Sequence, residues 1–134
     1  MKQRLDRQTI AMRVAREFQD GDVVNLGVGI PTLASNFLPE GRAVIFHSQN
    51  GMLGYGPVLT EAEIDVADID YTNAGGQLVT LLPGACFFDH ADAFAMVRGG
   101  HIDVSVLGGL QVSERGDLAN WQFPGRDAGN IGGG

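Results

Sequence analysis

The sequence predicts an α/β protein: an open, mostly parallel sheet flanked by helices. Three observations carry this. Stretches with helical periodicity alternate with short, continuous apolar runs of the kind found in strands buried on both faces. The order is helix, strand, helix, strand, which favours crossover units in one sheet over a sandwich. Leu, Ile, Val or Phe occupy 38 of the 134 positions. That suffices for a core in a chain of this length, which buries about two-thirds of its unfolded surface.

The first helix is read over Asp6 to Asp20, where Ile10, Ala11, Val14, Ala15 and Phe18 share one face. Asp6 or Thr9 caps its start and Gly21 ends it. Val23 opens a β-rich run that passes through Gly27 and Gly29 to Pro31, a residue suited to the first turn of a helix over Thr32 to Phe37. Ala43 to Ser48 is a short buried strand, and Gln49 to Pro57, with three glycines, reads as a loop. The acidic stretch Thr60 to Gln77 reads as a surface excursion. A strand at Val79 to Leu82 then meets a Pro-Gly turn. Asp89 caps a helix that Gly99–Gly100 ends, Ile102 to Leu107 is a further strand, and Asn120 to Phe123 another. No repeat or linker divides the chain, so residues 1–134 read as a single domain.

Composition removes several functions. The net charge is −7 and Lys occurs once, at Lys2. Neither nucleic acid nor an anionic membrane surface finds a basic face here. No apolar run approaches the roughly 18 residues of a membrane span, and the charged N-terminus is no secretion signal. One cysteine, Cys86, makes no internal disulfide, and its apolar neighbours predict an inert, buried thiol. A reducing cytoplasm is the expected setting. Three scattered histidines (His47, His90, His101) give no metal-ligand spacing, so no metal is expected and each reads as structural. The 20 glycines cluster without a fixed period, which excludes collagen and leaves turns and close backbone approach.

In an open α/β sheet, ligands bind beyond the carboxyl ends of the strands. Two glycine-rich segments fall there, residues 25–31 and 47–57. The first superficially resembles a dinucleotide fingerprint, but Thr32 stands where its third glycine belongs and Pro31 removes an N–H that phosphate would use. A tight strand-to-helix turn is the better reading. Asn25 is an amide inside a buried strand, and it either braces a neighbouring loop or points into a site. The second segment sets His47, Ser48, Gln49 and Asn50 at a strand's end. Spacing is equally compatible with a structural turn and with a binding loop. The closing GNIGGG, residues 129–134, reads first as a flexible tail and second as a nest of N–H donors.

Taken together, VVNLGVGIP, FHSQNGMLGYGP, NAGGQLVTLLPGACFFD, ADAFAMVRGGHIDVSVLGGLQVSERGDLANWQFPG and GNIGGG resemble, in order and over nearly the whole chain, the β subunit of a family I coenzyme A transferase of the succinyl-CoA:3-oxoacid or 3-oxoadipate type. The resemblance implies covalent ping-pong chemistry. A glutamate in a Ser-Glu-Asn-Gly loop attacks the donor acyl-CoA, the C–S bond breaks and an acyl anhydride forms. The released CoA thiolate converts this to an enzyme–CoA thioester and frees the donor acid. The acceptor carboxylate then attacks that thioester by the same steps in reverse and leaves as the new acyl-CoA, with the enzyme carboxylate restored.

Position by position, the resemblance places Gln49 where the family has its glutamate. Asn25 matches an asparagine near the reacting acyl group, Asn50 and Gly51 shape the loop, and Gly132 and Gly133 match a glycine-rich stretch facing the thioester. It implies an α-subunit partner in a heterodimer or a dimer of heterodimers (a heterotetramer), a CoA thioester and a small 3-oxo or dicarboxylic acid as substrates, and no bound cofactor. Two departures follow. A carboxamide at Gln49 is a very poor nucleophile, so the transferase cycle is expected to be impaired; an engineered substitution, a natural change of chemistry and a sequence artefact each account for it. The family's β subunits continue beyond the glycine-rich stretch, so the C-terminal part of the fold is expected to be missing and the chain to depend on a partner. Two alternatives remain on the same scaffold: an acyl-CoA decarboxylase or hydrolase, and an inactive subunit that binds CoA esters.

Overall fold

A computed structural model describes residues 4–123 and Gly125. Its centre is a five-stranded sheet built from β1 (Val23–Leu26), β2 (Ile45–Ser48), β3 (Met52–Val58), β4 (Val79–Phe87) and β5 (Val104–Val106), in the spatial order β4-β3-β2-β1-β5. β1 pairs in parallel with β2 and with β5, while β3 runs antiparallel to both β2 and β4. Four strands therefore point the same way and only β3 is reversed. The mostly parallel sheet expected from the sequence is present.

Helix α1 (Arg7–Ala15) starts where Asp6 Oδ1 accepts the Thr9 N–H at 2.7 Å. It is shorter than the expected Asp6–Asp20 span. The chain leaves the helix after Ala15 and carries Phe18 into the core from a turn. The second helix is a 3₁₀ segment, Pro31–Phe37, rather than an α-helix. The Thr32 hydroxyl donates to the Gly29 carbonyl and the Ser35 hydroxyl to the Thr32 carbonyl, a three-residue spacing that side chains impose on the backbone. α1 and this segment cover one face of the sheet. Beneath them Ala15, Phe18, Val24, Leu26, Ala34, Phe46, Met52 and Tyr55 form the core. Helix α2 (His90–Arg98) begins at Asp89, whose Oδ1 accepts the Asp92 N–H at 2.8 Å, and of α2 only Ala93 is buried.

Three expectations are corrected. Gln49 to Pro57 is not a loop: the turn ends at Gly51 and β3 begins at Met52. Its glycines mark irregularities in pairing rather than chain reversal. β4 likewise does not stop at Leu82. Between the Leu53–Cys86 and Tyr55–Leu81 pairs, β3 advances two residues and β4 five, so Pro83 and Gly84 sit in a bulge of an edge strand, where a missing N–H costs little. Near the C-terminus the strand expected at Asn120 to Phe123 lies earlier, at β7 (Leu118–Ala119), hairpin-paired to β6 (Gln111–Val112). Its turn is held by Ser113 and Asp117. Among the described residues no helix is long and apolar enough to cross a membrane.

Candidate active site

Val24 and Leu26 of β1 point into the core, so Asn25 between them faces the other side of the sheet. His47 stands opposite it on β2. Asn25 is 3% exposed and His47 not at all. His47 Nδ1 lies 3.0 Å from Asn25 Oδ1. A carboxamide oxygen only accepts, so Nδ1 carries the proton and donates. His47 Nε2 is then a buried lone pair with no partner among the described residues. The imidazole stacks on Phe88, centroids 5.6 Å apart. Burial pushes the His47 pKa below its ordinary value, which keeps the ring neutral.

Past Ser48 the chain reverses through Gln49, Asn50 and Gly51, with the Gly51 N–H donating to the Ser48 carbonyl at 3.0 Å. Gly51 has φ +108°, and a Cβ there would lie 2.0 Å from the Phe88 carbonyl oxygen. Only glycine fits. Phe88 N–H donates to the Gly51 carbonyl at 3.0 Å. From the other side, Ser48 Oγ accepts the Ala74 N–H at 2.9 Å and Asn50 Nδ2 donates to the Thr72 carbonyl at 2.8 Å. Buried Asn73 shapes that bracing segment by accepting the Gly75 and Gln77 N–H groups on its Oδ1. His90, the first residue of α2, donates from Nδ1 to the Gln49 carbonyl at 2.8 Å.

A pocket of about 130 Å³ opens at the carboxyl ends of β1 and β2. Asn25 and Gln49 line it from the strand ends, Ser105 and Leu107 from β5 and beyond, and Phe94, Val97 and Arg98 from α2. The Arg98 guanidinium lies over the Phe94 ring, 5.2 Å from its centroid. The pocket therefore offers carboxamide N–H donors, a hydroxyl and one cation to a ligand carrying carbonyl or carboxylate oxygens. It offers no ionised nucleophile. Ser48 Oγ is buried and already bonded, and the residue facing the pocket at position 49 is an amide. A larger groove of about 490 Å³ between α2 and the sheet is lined by Val23, Leu53, Ala95, Met96 and Ile102, with Asp92 and His101 as its polar side chains. Among the described residues no cluster of three metal-ligating side chains occurs.

The structure brings Asn25 and Gln49 to one pocket, with Asn50 and Gly51 forming the turn that carries Gln49. Gly132 and Gly133 lie outside the described residues. Cys86, expected buried, is exposed on β4, because the strand extends past its bulge and the thiol falls on an open face. Sequence reasoning missed Phe94, Val97, Arg98 and Ser105. The first three recur at i, i+3 and i+4, the spacing of one helix face, and that signal was available. It also missed the bracing role of residues 72–77, which only tertiary contact reveals.

An open sheet with polar groups gathered beyond its carboxyl strand ends is a ligand-binding α/β architecture. Residues 7–131 match the family model described as "Coenzyme A transferase". The chain belongs to the coenzyme A transferase family. It is 54% identical over 127 residues to the acetate CoA-transferase subunit beta of Escherichia coli K12, covering 95% of this chain and 56% of that one. It is equally 54% identical to the human mitochondrial succinyl-CoA:3-ketoacid coenzyme A transferase 2, covering 95% of this chain and 24% of that protein. The chain thus spans about half the length of the bacterial subunit. Among solved structures, the fold resembles an acyl-CoA transferase (YdiF) of E. coli O157:H7 in a thioester complex with CoA, with a TM-score of 0.59, 23% identity, and coverage of 94% of this chain and 21% of that one.

Proposed function

We propose that this chain is the part of a CoA-transferase β-type subunit that presents the nucleophile loop, and that Gln49 disables the covalent step. The observation that carries the reading is the convergence of Gln49 and Asn25 on one pocket at the carboxyl ends of β1 and β2. A carboxylate at position 49 would sit where an acyl-CoA thioester carbonyl can be held by the Asn25 amide. Attack there would break the C–S bond and leave an enzyme anhydride; the CoA thiolate would then attack its glutamyl carbonyl, expelling the donor acid as carboxylate and leaving an enzyme–CoA thioester. The Asn25 N–H group would stabilise the oxyanion of each tetrahedral intermediate. Asn50 and Gly51 hold the loop, and Gly132 and Gly133 supply further backbone donors. No bound cofactor takes part.

Gln49 keeps the shape of glutamate and removes its charge, so the chain as it stands binds the CoA ester without capturing it. The relatives matched are named CoA-transferases, which supports the transferase reading over decarboxylase or hydrolase chemistry on the same scaffold. The substrates are an acyl-CoA and a short 3-oxo or dicarboxylic acid, and the setting is cytoplasmic. The partner is an α-type subunit, and the assembly a heterotetramer. The test is turnover. With the α-type partner present, Gln49→Glu transfers CoA from succinyl-CoA to acetoacetate with ping-pong kinetics, while the unaltered protein does not. Equal turnover by both proteins would contradict the reading.

A further inference from the structure

We propose that His47 is a positioning residue: its Nδ1–H fixes the Asn25 carboxamide so that the amide nitrogen, not the oxygen, is presented to the pocket beside residue 49. The inference rests on the transferase reading and goes one step behind it. A carboxamide is nearly symmetric in shape, and which end faces a ligand decides whether it donates or accepts. A thioester carbonyl that gains negative charge needs a donor, and an oxygen turned toward it would repel it. Something must therefore hold the oxygen end. His47 does so at 3.0 Å from the neighbouring strand.

Among the described residues nothing else accounts for an imidazole at this position. His47 is fully buried, and its second nitrogen has no partner among them. A buried, unpaired polar atom costs stability, and an aromatic hydrocarbon would stack on Phe88 without one. The ring also ties the amide to the turn that carries residue 49. Phe88, on which it stacks, donates its N–H to the Gly51 carbonyl. One element thus sets the donor and the nucleophile position relative to each other, which is the kind of placement whose loss is expensive in rate.

The experiment uses the complete protein with its α-type partner in the Gln49→Glu background. His47→Phe keeps the stack and removes the donor. It is expected to lower kcat by roughly ten- to a hundredfold, with KM for acyl-CoA and the melting temperature at neutral pH little changed. His47→Asn, which restores a donor near the place of Nδ1, is expected to recover most of kcat. Retained kcat in His47→Phe would overturn the proposal, as would a His47→Asn variant no better than His47→Phe. Failure of Gln49→Glu itself to turn over would refute the transferase reading instead. The hydrogen bond is then decided by ¹⁵N–¹H correlation of the imidazole, assigned by the signal lost in His47→Asn. A neutral ring protonated on Nδ1 supports the proposal; a proton on Nε2, or a charged ring, overturns it.

Discussion

At the residue scale, Gly51 and His47 make opposite demands. Gly51 contributes nothing but the absence of a side chain. With φ at +108° and the Phe88 carbonyl in the space of a Cβ, Gly51→Ala is expected to cost about 3 kcal/mol or more, seen as a lower urea midpoint. A loss under about 1 kcal/mol would mean that the turn relaxes freely. His47 contributes a neutral ring whose pKa burial holds below the ordinary 6.5. Above that pH the ring is neutral in both folded and unfolded chains. As pH falls below it, the unfolded chain takes up a proton that the folded one resists, so stability declines until the lowered folded-state pKa is passed. The stability of His47→Phe relative to the unaltered protein should therefore rise between about pH 7.5 and 5.5, by urea unfolding. A constant gap would show that His47 titrates alike in both states. Tyr55 is a third case. Its hydroxyl is buried with no partner among the described residues, so Tyr55→Phe is expected to be neutral or stabilising by up to about 1 kcal/mol.

At the element scale, α2 links the site to the sheet through its first turn. Asp89 caps it, and His90 then reaches back to the Gln49 carbonyl. Asp89→Ala should cost about 1 kcal/mol in stability, measured by thermal unfolding. An unchanged melting temperature would mean that the cap is replaced. The elements also mark what was legible in the sequence. β1, β2 and α2 were readable because their apolar runs and caps are local signals. β3 and the second half of β4 were not. Gly54, Gly56, Pro83 and Gly84 look like turn residues in one dimension, and only pairing across β3 and β4 turns them into bulges. Within the site, Asn25 stood out as an amide among apolar residues, and the turn at Gln49 as a glycine-bounded polar run. The His47–Asn25 bond was hidden, since strand register alone sets those two side chains opposite each other. Arg98 was half legible: its spacing from Phe94 and Val97 puts the three on one helix face, but only the tertiary structure shows that this face meets the pocket.

At the scale of the whole molecule, stability is expected to be uneven. Phe18, Val24, Leu26, Phe46 and Tyr55 are all 3% exposed or less, so amides of β1 and β2 should be the slowest to exchange with deuterium. The β6–β7 hairpin, with Val112 and Leu118 more than half exposed, should exchange fastest among the strands. Slower exchange in the hairpin than in β1 would contradict this picture of the core. The proposed nucleophile position, residue 49, lies in the pocket at the ends of β1 and β2. The decisive measurement is the intact mass of this chain, assembled with the proposed α-type partner, before and after incubation with succinyl-CoA. No covalent gain for the unaltered chain, and a gain of one CoA thioester that hydroxylamine removes for Gln49→Glu, is the predicted result. A CoA adduct on the unaltered chain, carried by a residue other than 49, would contradict it.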